Sequence, residues 1–280
     1  MKMLDKISLY APAKLNIFLK ILGRRPDGMH TIRSGITFIN LFDKITIKQS
    51  KKMNITYSGF FAPRGNSYNN CILSKTIKFL NLDKQYQFEI HIEKNIPVQG
   101  GLGSASTNAA SFIRYLKEFN IIEEKKPEYY ASLGADIPCF LYNKNCLVTG
   151  IGEKIYLQTF PQYFFLLIKP NINNSTKDMY EKLNFSKGSY DLVNDLEEYM
   201  INEDDNGNDF ESIIKKTNPE FKNLLEFLET LEENIFVRMT GSGSCCYAAF
   251  ENEEYAIKAK LLFNNNYPEL WSAVVRNNIS

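Results

Sequence analysis

The sequence predicts a fold that mixes strands with helices, and three observations carry the expectation. Phe88, Ile90 and Ile92 alternate with Glu89, His91 and Glu93, the period of a half-buried strand. Ala109, Phe112, Ile113, Leu116 and Phe119 recur at three- and four-residue spacing, which puts them on one buried helix face. Between these runs lies Pro97 to Ala110, PVQGGLGSASTNAA, a glycine-rich turn that leads directly into the helix.

That junction has the chemistry of an anion seat. Gly100, Gly101 and Gly103 permit positive φ and close backbone approach, while the helix start offers unpaired N–H groups and the positive end of its dipole. Ser104 and Ser106 stand where an N-cap belongs. On these residues alone, a phosphate seat and a tight strand-to-helix connection are both open readings.

The other elements follow in chain order. Ile7 to Leu22 and Ile36 to Lys48 read as strands joined through GRRPDG, where Pro26, Asp27 and Gly28 supply turn chemistry. Asn70 to Leu80 reads as a short amphipathic helix through Ile72, Leu73, Thr76, Ile77 and Leu80. Gly150, Gly152 and Pro161 punctuate the chain before a dense apolar strand at Phe160 to Ile168, so we place a boundary there, with domains at 1–158 and 159–280. Ser186 to Asp209 is polar, with Asp191, Asp195 and the run EDDNGND. With Gly207 at the turn position of a calcium loop, residue twelve is Ile213 instead of glutamate, which leaves a solvated acidic loop. Leu224, Leu225, Leu228 and Leu231 mark a helix; Asn234 to Met239 and Cys245 to Phe250 are strands around TGSGS; Tyr255 to Phe263 is a last amphipathic helix.

Composition narrows the function. In 280 residues, 33 basic side chains against 32 acidic ones leave a formal charge of +1, so no global field draws nucleic acid or an anionic membrane. Lys14, Asn16 and Lys20 interrupt the early apolar runs, and no apolar segment approaches the roughly twenty residues of a membrane span. Cysteines 71, 139, 146, 245 and 246 are odd in number and lack zinc spacing, as expected for free thiols in the cytoplasm. Common nucleotide fingerprints fail. Gly23 and Gly28 have Walker spacing but are followed by Met29 and His30, and neither Gly101/Gly103 nor Gly241/Gly243 is completed by a third glycine. HRD and DFG triplets are absent.

Three further segments surround the loop: PAKLN at Pro12 to Asn16, LGADIP at Leu133 to Pro138, and TGSGS at Thr240 to Ser244. With GRRPDGMHTI, GLGSASTNAA, GIGEKI and NDLE at Asn194 to Glu197, their content and order resemble the GHMP kinase superfamily over nearly the whole chain, most closely its diphosphocytidyl subgroup. The resemblance implies an α+β class with a ribosomal protein S5 domain 2-like first half that binds ATP, a ferredoxin-like second half, and ligands in a cleft between them. It also implies ATP-dependent phosphorylation of a hydroxyl on a cytidine diphosphate-linked methylerythritol. Phosphoryl transfer needs positioning, charge neutralisation and a proton acceptor.

Residue by residue, Asp136 matches the family's catalytic aspartate, although beside Ile137 and Pro138 it also reads as an N-cap. Lys14 matches the partnering lysine, which would keep the carboxylate ionised and oriented or stabilise the attacking oxygen. Pro97, Gly100, Gly101, Leu102, Gly103, Ser104, Ala105 and Ser106 fall in the ATP loop, and Asn70 and Lys94 near adenine and ribose, Lys94 reading otherwise as a solvated strand-end lysine. Asn16, His30, Thr176 and Tyr180 match substrate positions, with His30 bonding the cytosine edge and Tyr180 stacking on its face; Gly241, Ser242 and Gly243 would close over phosphates and substrate. Met29 replaces an aromatic, so a thioether takes one plate of the cytosine sandwich. Ser104 and Ala105 stand where two glycines are common, restricting backbone approach while adding a capping hydroxyl. Mg²⁺ is expected from the chemistry, without an assigned ligand. Kinases of mevalonate, phosphomevalonate or homoserine, and a non-catalytic nucleotide-binding relative, are the alternatives.

Overall fold

A computed structural model describes residues 6–63, 71–172, 174–183 and 206–279. Asn70, Asp191, Asp195, the NDLE run and the acidic residues 203–205 lie outside the described residues. The chain forms two compact units: 1–13, 41–98 and 103–143 make one, and 14–40, 99–102 and 144–280 the other. Strands β1 (Ile7–Arg24) and β2 (His30–Gln49) pair with each other and contribute to both.

In the first unit, β4 (Phe88–Glu93) runs antiparallel to the second half of β2 and parallel to β3 (Asn54–Ser58). Strict alternation sets the register: Ile45 and Ile47 of β2 and Phe88, Ile90 and Ile92 of β4 face inward. Against them pack α1 (Ile72–Phe79) through Leu73 and Ile77, and α2 (Ser104–Glu118) through Phe112, Tyr115 and Leu116. Phe119, expected on the buried helix face, instead closes α2 as its C-cap and is 38% exposed, its ring against Tyr115. A 3-10 turn at Pro127–Leu133 leads into α3 (Ile137–Tyr142). Arg114 of α2 ties the two helices by donating to the Phe140 carbonyl.

The second unit holds a four-stranded antiparallel sheet in the order β10–β7–β9–β8, from β7 (Phe164–Lys169), β8 (Asn234–Met239), β9 (Cys246–Phe250) and β10 (Trp271–Arg276). That order, with helices α4 (Thr176–Glu181), α5 (Glu211–Thr217) and α6 (Pro219–Glu229) before β8 and α7 (Glu253–Asn266) before β10, is the split βαβ arrangement of a ferredoxin-like domain. Its core combines Leu166, Ile168, Cys246 and Ala248 of the sheet with Phe221, Leu224, Leu228 and Phe263 of the helices, and with Leu19 and Ile21 of β1. β7 begins at Phe164 instead of Phe160, because Pro161 cannot donate to a ladder. Gly150 and Gly152 form the turn between β5 (Cys146–Gly150) and β6 (Lys154–Leu157), two short strands that pair antiparallel, β5 also with the first half of β2.

Candidate active site

Helix α2 starts without a cap. Its N-cap is Gly103 at φ 71°, with no side-chain hydrogen bond; its carbonyl accepts Thr107 N at 2.9 Å, and the N–H groups of Ser104 to Ser106 gain no side-chain acceptor from it. Neither Ser104 nor Ser106 is the cap that the sequence pattern suggests. Ser104 is already the first helical residue, and its hydroxyl is taken by Lys94 and Asp43. The loop before it alternates into the left-handed region at Gln99, Gly101 and Gly103, with φ of 53°, 75° and 71°. Such backbone turns N–H groups toward a common anion. Thr107 Oγ1 and Asn108 Oδ1, on the first two turns of α2, are buried without a hydrogen-bond partner.

Lys94 is not a solvated strand-end residue. Its side chain is 6% exposed, paired with the fully buried Asp43, and donates to Ser104 Oγ. Burial pulls its pKa down, and the Asp43 carboxylate opposes that shift. Asp136 occupies the N-cap position of α3 with helical φ and ψ and makes no side-chain cap bond; it is exposed. A side-chain carbon on Gly134, two residues earlier, would lie 3.5 Å from Ser106 Oγ, so the LGAD segment and the start of α2 are neighbours within this unit.

In the second unit, Lys14 and Asn16 project to the same side of β1, and Lys14 Nζ donates to Asn16 Oδ1. Both are buried. Asn16 Nδ2 donates to Ser34 Oγ at 2.7 Å, its backbone N–H to Thr240 Oγ1 at 3.0 Å, and its carbonyl accepts from Tyr247 Oη at 2.8 Å. The TGSGS segment is the β8–β9 turn and docks on residues 99–102. Cys245 N donates to Gly100 O at 3.1 Å, Ser244 N to Gln99 O at 3.4 Å, and Thr240 Oγ1 to Gly101 O at 3.3 Å. The fit is tight: a β-carbon on Gly101 would lie 2.0 Å from Thr240 O, and one on Gly241 3.4 Å from Lys14 Nζ. Lys14 N donates to Leu102 O at 3.2 Å, so the PAKLN, glycine-loop and TGSGS motifs form one hydrogen-bonded cluster.

The substrate candidates divide. Thr176 and Ser242 share a hydrogen bond of 2.8 Å, and Tyr180 stacks on His30 with ring centroids 4.8 Å apart and 28° between planes. A base between these two rings would need roughly 7 Å, two van der Waals contacts of about 3.5 Å, so neither can receive one there without moving. Met29 is 49% exposed. Burial first, and the Arg24 charge second, hold the His30 pKa below its ordinary value. Gly243 lies against Met239 and Asn174, where a β-carbon would meet Sδ at 2.6 Å and Nδ2 at 3.1 Å.

Sequence reasoning missed Asp43, Ser34, Asn208 and Tyr247. Asp43 was detectable: it shares the strand phase of buried Ile45 and Ile47, as Lys94 shares that of Ile90 and Ile92. Asn208 belongs to the run read as solvated acidic loop, yet it is buried and donates to Met239 O and Gly241 O, both at 2.8 Å, bracing the TGSGS turn.

A profile of the GHMP kinases N terminal domain matches residues 70–144, and one of the GHMP kinases C terminal region matches 184–269. A protein of Francisella tularensis subsp. tularensis (strain FSC 198), named 4-diphosphocytidyl-2-C-methyl-D-erythritol kinase, is 35% identical over 246 residues, 85% of each chain. A crystal structure of 4-(cytidine 5'-diphospho)-2C-methyl-D-erythritol kinase is similar with a TM-score of 0.76 at 21% identity, covering 96% of this chain and 99% of that one. A crystal structure of mevalonate kinase is similar at 0.63 and 17%, covering 97% and 99%. At those identities the two solved structures speak to fold alone.

Proposed function

The chain belongs to the GHMP kinases, and we propose that it transfers the γ-phosphoryl group of ATP to the 2-hydroxyl of 4-diphosphocytidyl-2-C-methyl-D-erythritol, a step of the non-mevalonate route to isoprenoid precursors. The observation that carries the nucleotide half is the uncapped start of α2 behind a loop of alternating left-handed residues. The acceptor half rests on the 35% identity to a relative of that name, with GRRPDGMH and LGADIPCF as the segments characteristic of the subgroup.

The proposed division of labour follows the residues. Residues 1–158 carry the nucleotide site, with Pro97 and Gly100 to Ser106 along the phosphates and Asn70 and Lys94 toward adenine and ribose; residues 159–280 form the second domain. The two profile matches, 70–144 and 184–269, fall on either side of that proposed boundary. Asp136 accepts the proton of the attacking hydroxyl. Its carboxylate makes no cap bond to α3, which leaves it available for this step. Lys14, braced by Asn16, supplies the positive charge that orients a carboxylate or steadies the developing alkoxide. His30, Met29, Thr176 and Tyr180 take the cytidyl end, and Gly241 and Ser242 the phosphates near the transfer. Mg²⁺, where bound with ATP, would neutralise phosphate charge. Among the described residues no group of three His, Cys, Asp or Glu is placed to hold a metal. Thr107 Oγ1 and Asn108 Oδ1 are the orphaned oxygens of α2 that would meet its hydration shell. The work is proposed to take place in the cytoplasm on a small-molecule acceptor, with no nucleic-acid or membrane partner; no helix among the described residues is long and apolar enough to cross a membrane.

The test is a panel of acceptors with purified protein, ATP and Mg²⁺. ADP release is expected with the cytidyl substrate, together with a new phosphomonoester. Turnover of mevalonate, phosphomevalonate or homoserine in its place would overturn the substrate and keep the kinase, whereas nucleotide binding without turnover of any of them would favour a non-catalytic relative.

A further inference from the structure

We propose that Asp43 is a positioning residue for the nucleotide end of α2, acting through Lys94 and Ser104. The inference rests on the reading that this helix end receives ATP phosphates. Asp43 sits on β2 with no exposed surface, and each of its oxygens is occupied. Oδ1 accepts the backbone N–H groups of Asn95 and Ile96, at 2.8 and 2.9 Å. Oδ2 accepts from Lys94 Nζ and from Ser104 Oγ, the latter at 3.2 Å. Lys94 in turn donates to Ser104 Oγ, which closes a triangle of carboxylate, ammonium and hydroxyl.

A buried ion pair is a costly way to gain stability, because desolvation offsets most of the attraction. What this one supplies is geometry. Through Oδ1 it fixes the chain that leaves β4 at Asn95 and Ile96, and through Oδ2 it fixes the first residue of α2. Both ends of the phosphate loop are thereby referred to one carboxylate on one strand. With Gly103 giving no side-chain cap, Ser104 is where α2's entrance is held from outside the helix. The first-turn N–H groups keep their aim without a cap that would compete for them.

Ser104→Ala tests this with no change of charge. Magnesium–ADP affinity, read by titration calorimetry, is expected to fall about five- to tenfold, the worth of one hydrogen bond's positioning. KM for ATP should rise in parallel, by a larger factor than any fall in kcat at saturating ATP, while KM for the acceptor is unmoved. The melting temperature should drop by no more than about 4 °C. Asp43→Asn should weaken magnesium–ADP at least as much. If Asp43 acted only as a negative charge near phosphate, that variant would bind the nucleotide more tightly, and this result would overturn the proposal. Unchanged ADP affinity in Ser104→Ala would overturn it as well, and decides the matter should Asp43→Asn fail to fold. Wild-type protein that binds no ADP would remove the nucleotide reading and this inference with it; wild-type binding with an indifferent Ser104→Ala removes the inference alone.

Discussion

Helix α2 and helices α6 and α7 begin in opposite ways. Asn218 caps α6 by accepting Phe221 N at 2.8 Å, and Asn252 caps α7 by accepting Tyr255 N at 3.2 Å. Gly103 offers α2 nothing comparable, although α2 is the longest of the three. A cap contributes about 1 kcal/mol, so α2 forgoes stability that the two C-terminal helices take. In place of a local cap it has the buried Asp43–Lys94–Ser104 triangle, which holds the helix start from the side and leaves its axis open. In the function proposed above, the contrast sets two helix ends closed by their own side chains against one left for the nucleotide; α3 and α5 also start without a side-chain cap, so it is the glycine loop in front of α2 that marks it out.

The largest effect should come from the loop in front of α2. Gly101→Ala sets a methyl group 2.0 Å from the Thr240 carbonyl at a φ of 75°, and backbone on both sides cannot yield as a side chain would. We expect activity to fall at least about a hundredfold and the melting temperature to drop by several degrees, since overpacking and strain cost roughly 1–3 kcal/mol each. Gly28→Ala is the control: φ is 89° there too, but nothing lies within 4 Å of the added carbon, so only the backbone strain remains. Equal losses in the two variants would show that strain alone matters at Gly101.

Asp136→Asn comes next. Turnover should fall about 10²- to 10⁴-fold, the range of a lost general base, while magnesium–ADP still binds, because α3's start is not held by that carboxylate. A near-normal kcat would remove Asp136 from the chemistry. The caps themselves should give the reverse signature: Asn218→Ala and Asn252→Ala are each expected to cost about 1 kcal/mol in denaturant unfolding with KM for ATP unchanged.

Smaller effects sharpen the acceptor side. The folded-state pKa of His30 lies below 6.5, so His30 is neutral at pH 7; as pH falls through the window between 6.5 and that lowered value, the unfolded chain takes the proton first and folding stability declines. KM for the cytidyl substrate should therefore hold steady from pH 8 to the ordinary histidine range and rise only below it, and Arg24→Gln should move the rise to higher pH, read from kcat/KM profiles. Met29→Tyr should lower KM for the same substrate with kcat similar, as restoring a stacking plate predicts; an unchanged or higher KM would count against base stacking at this position. Least affected is the sulfur chemistry. Burial pushes the Cys245 thiol up to about 12, so alkylation of the native protein at pH 8 should spare Cys245 and Cys246 and reach the partly exposed Cys71 first.

How much of this was legible in the sequence follows from which physical signal each element carries. Helix α2 and strand β4 repeat their period over enough residues to be read directly, and the order of the motifs carries the family. β5 and β6 are four or five residues long around glycines, too short for a period, and their glycines read as punctuation. Lys94 and Asp43 look like surface charges until strand phase is applied to them, when both fall among buried isoleucines. Asn208 had no signal at all: a buried amide bracing a glycine turn is indistinguishable in sequence from its acidic neighbours. Ser104 misled by chemistry, since a serine at a helix start suggests a cap, whereas its hydroxyl is drawn sideways by a buried ion pair.

The most direct test of the account is amide chemical-shift mapping of the ¹⁵N-labelled protein as the non-hydrolysable magnesium complex of ATP is added. The open end of α2 predicts the largest shifts at the backbone N–H groups of Gly103 to Ser106, with the first turns of α6 and α7 silent. Shifts absent from 103–106 while the nucleotide binds elsewhere would contradict it.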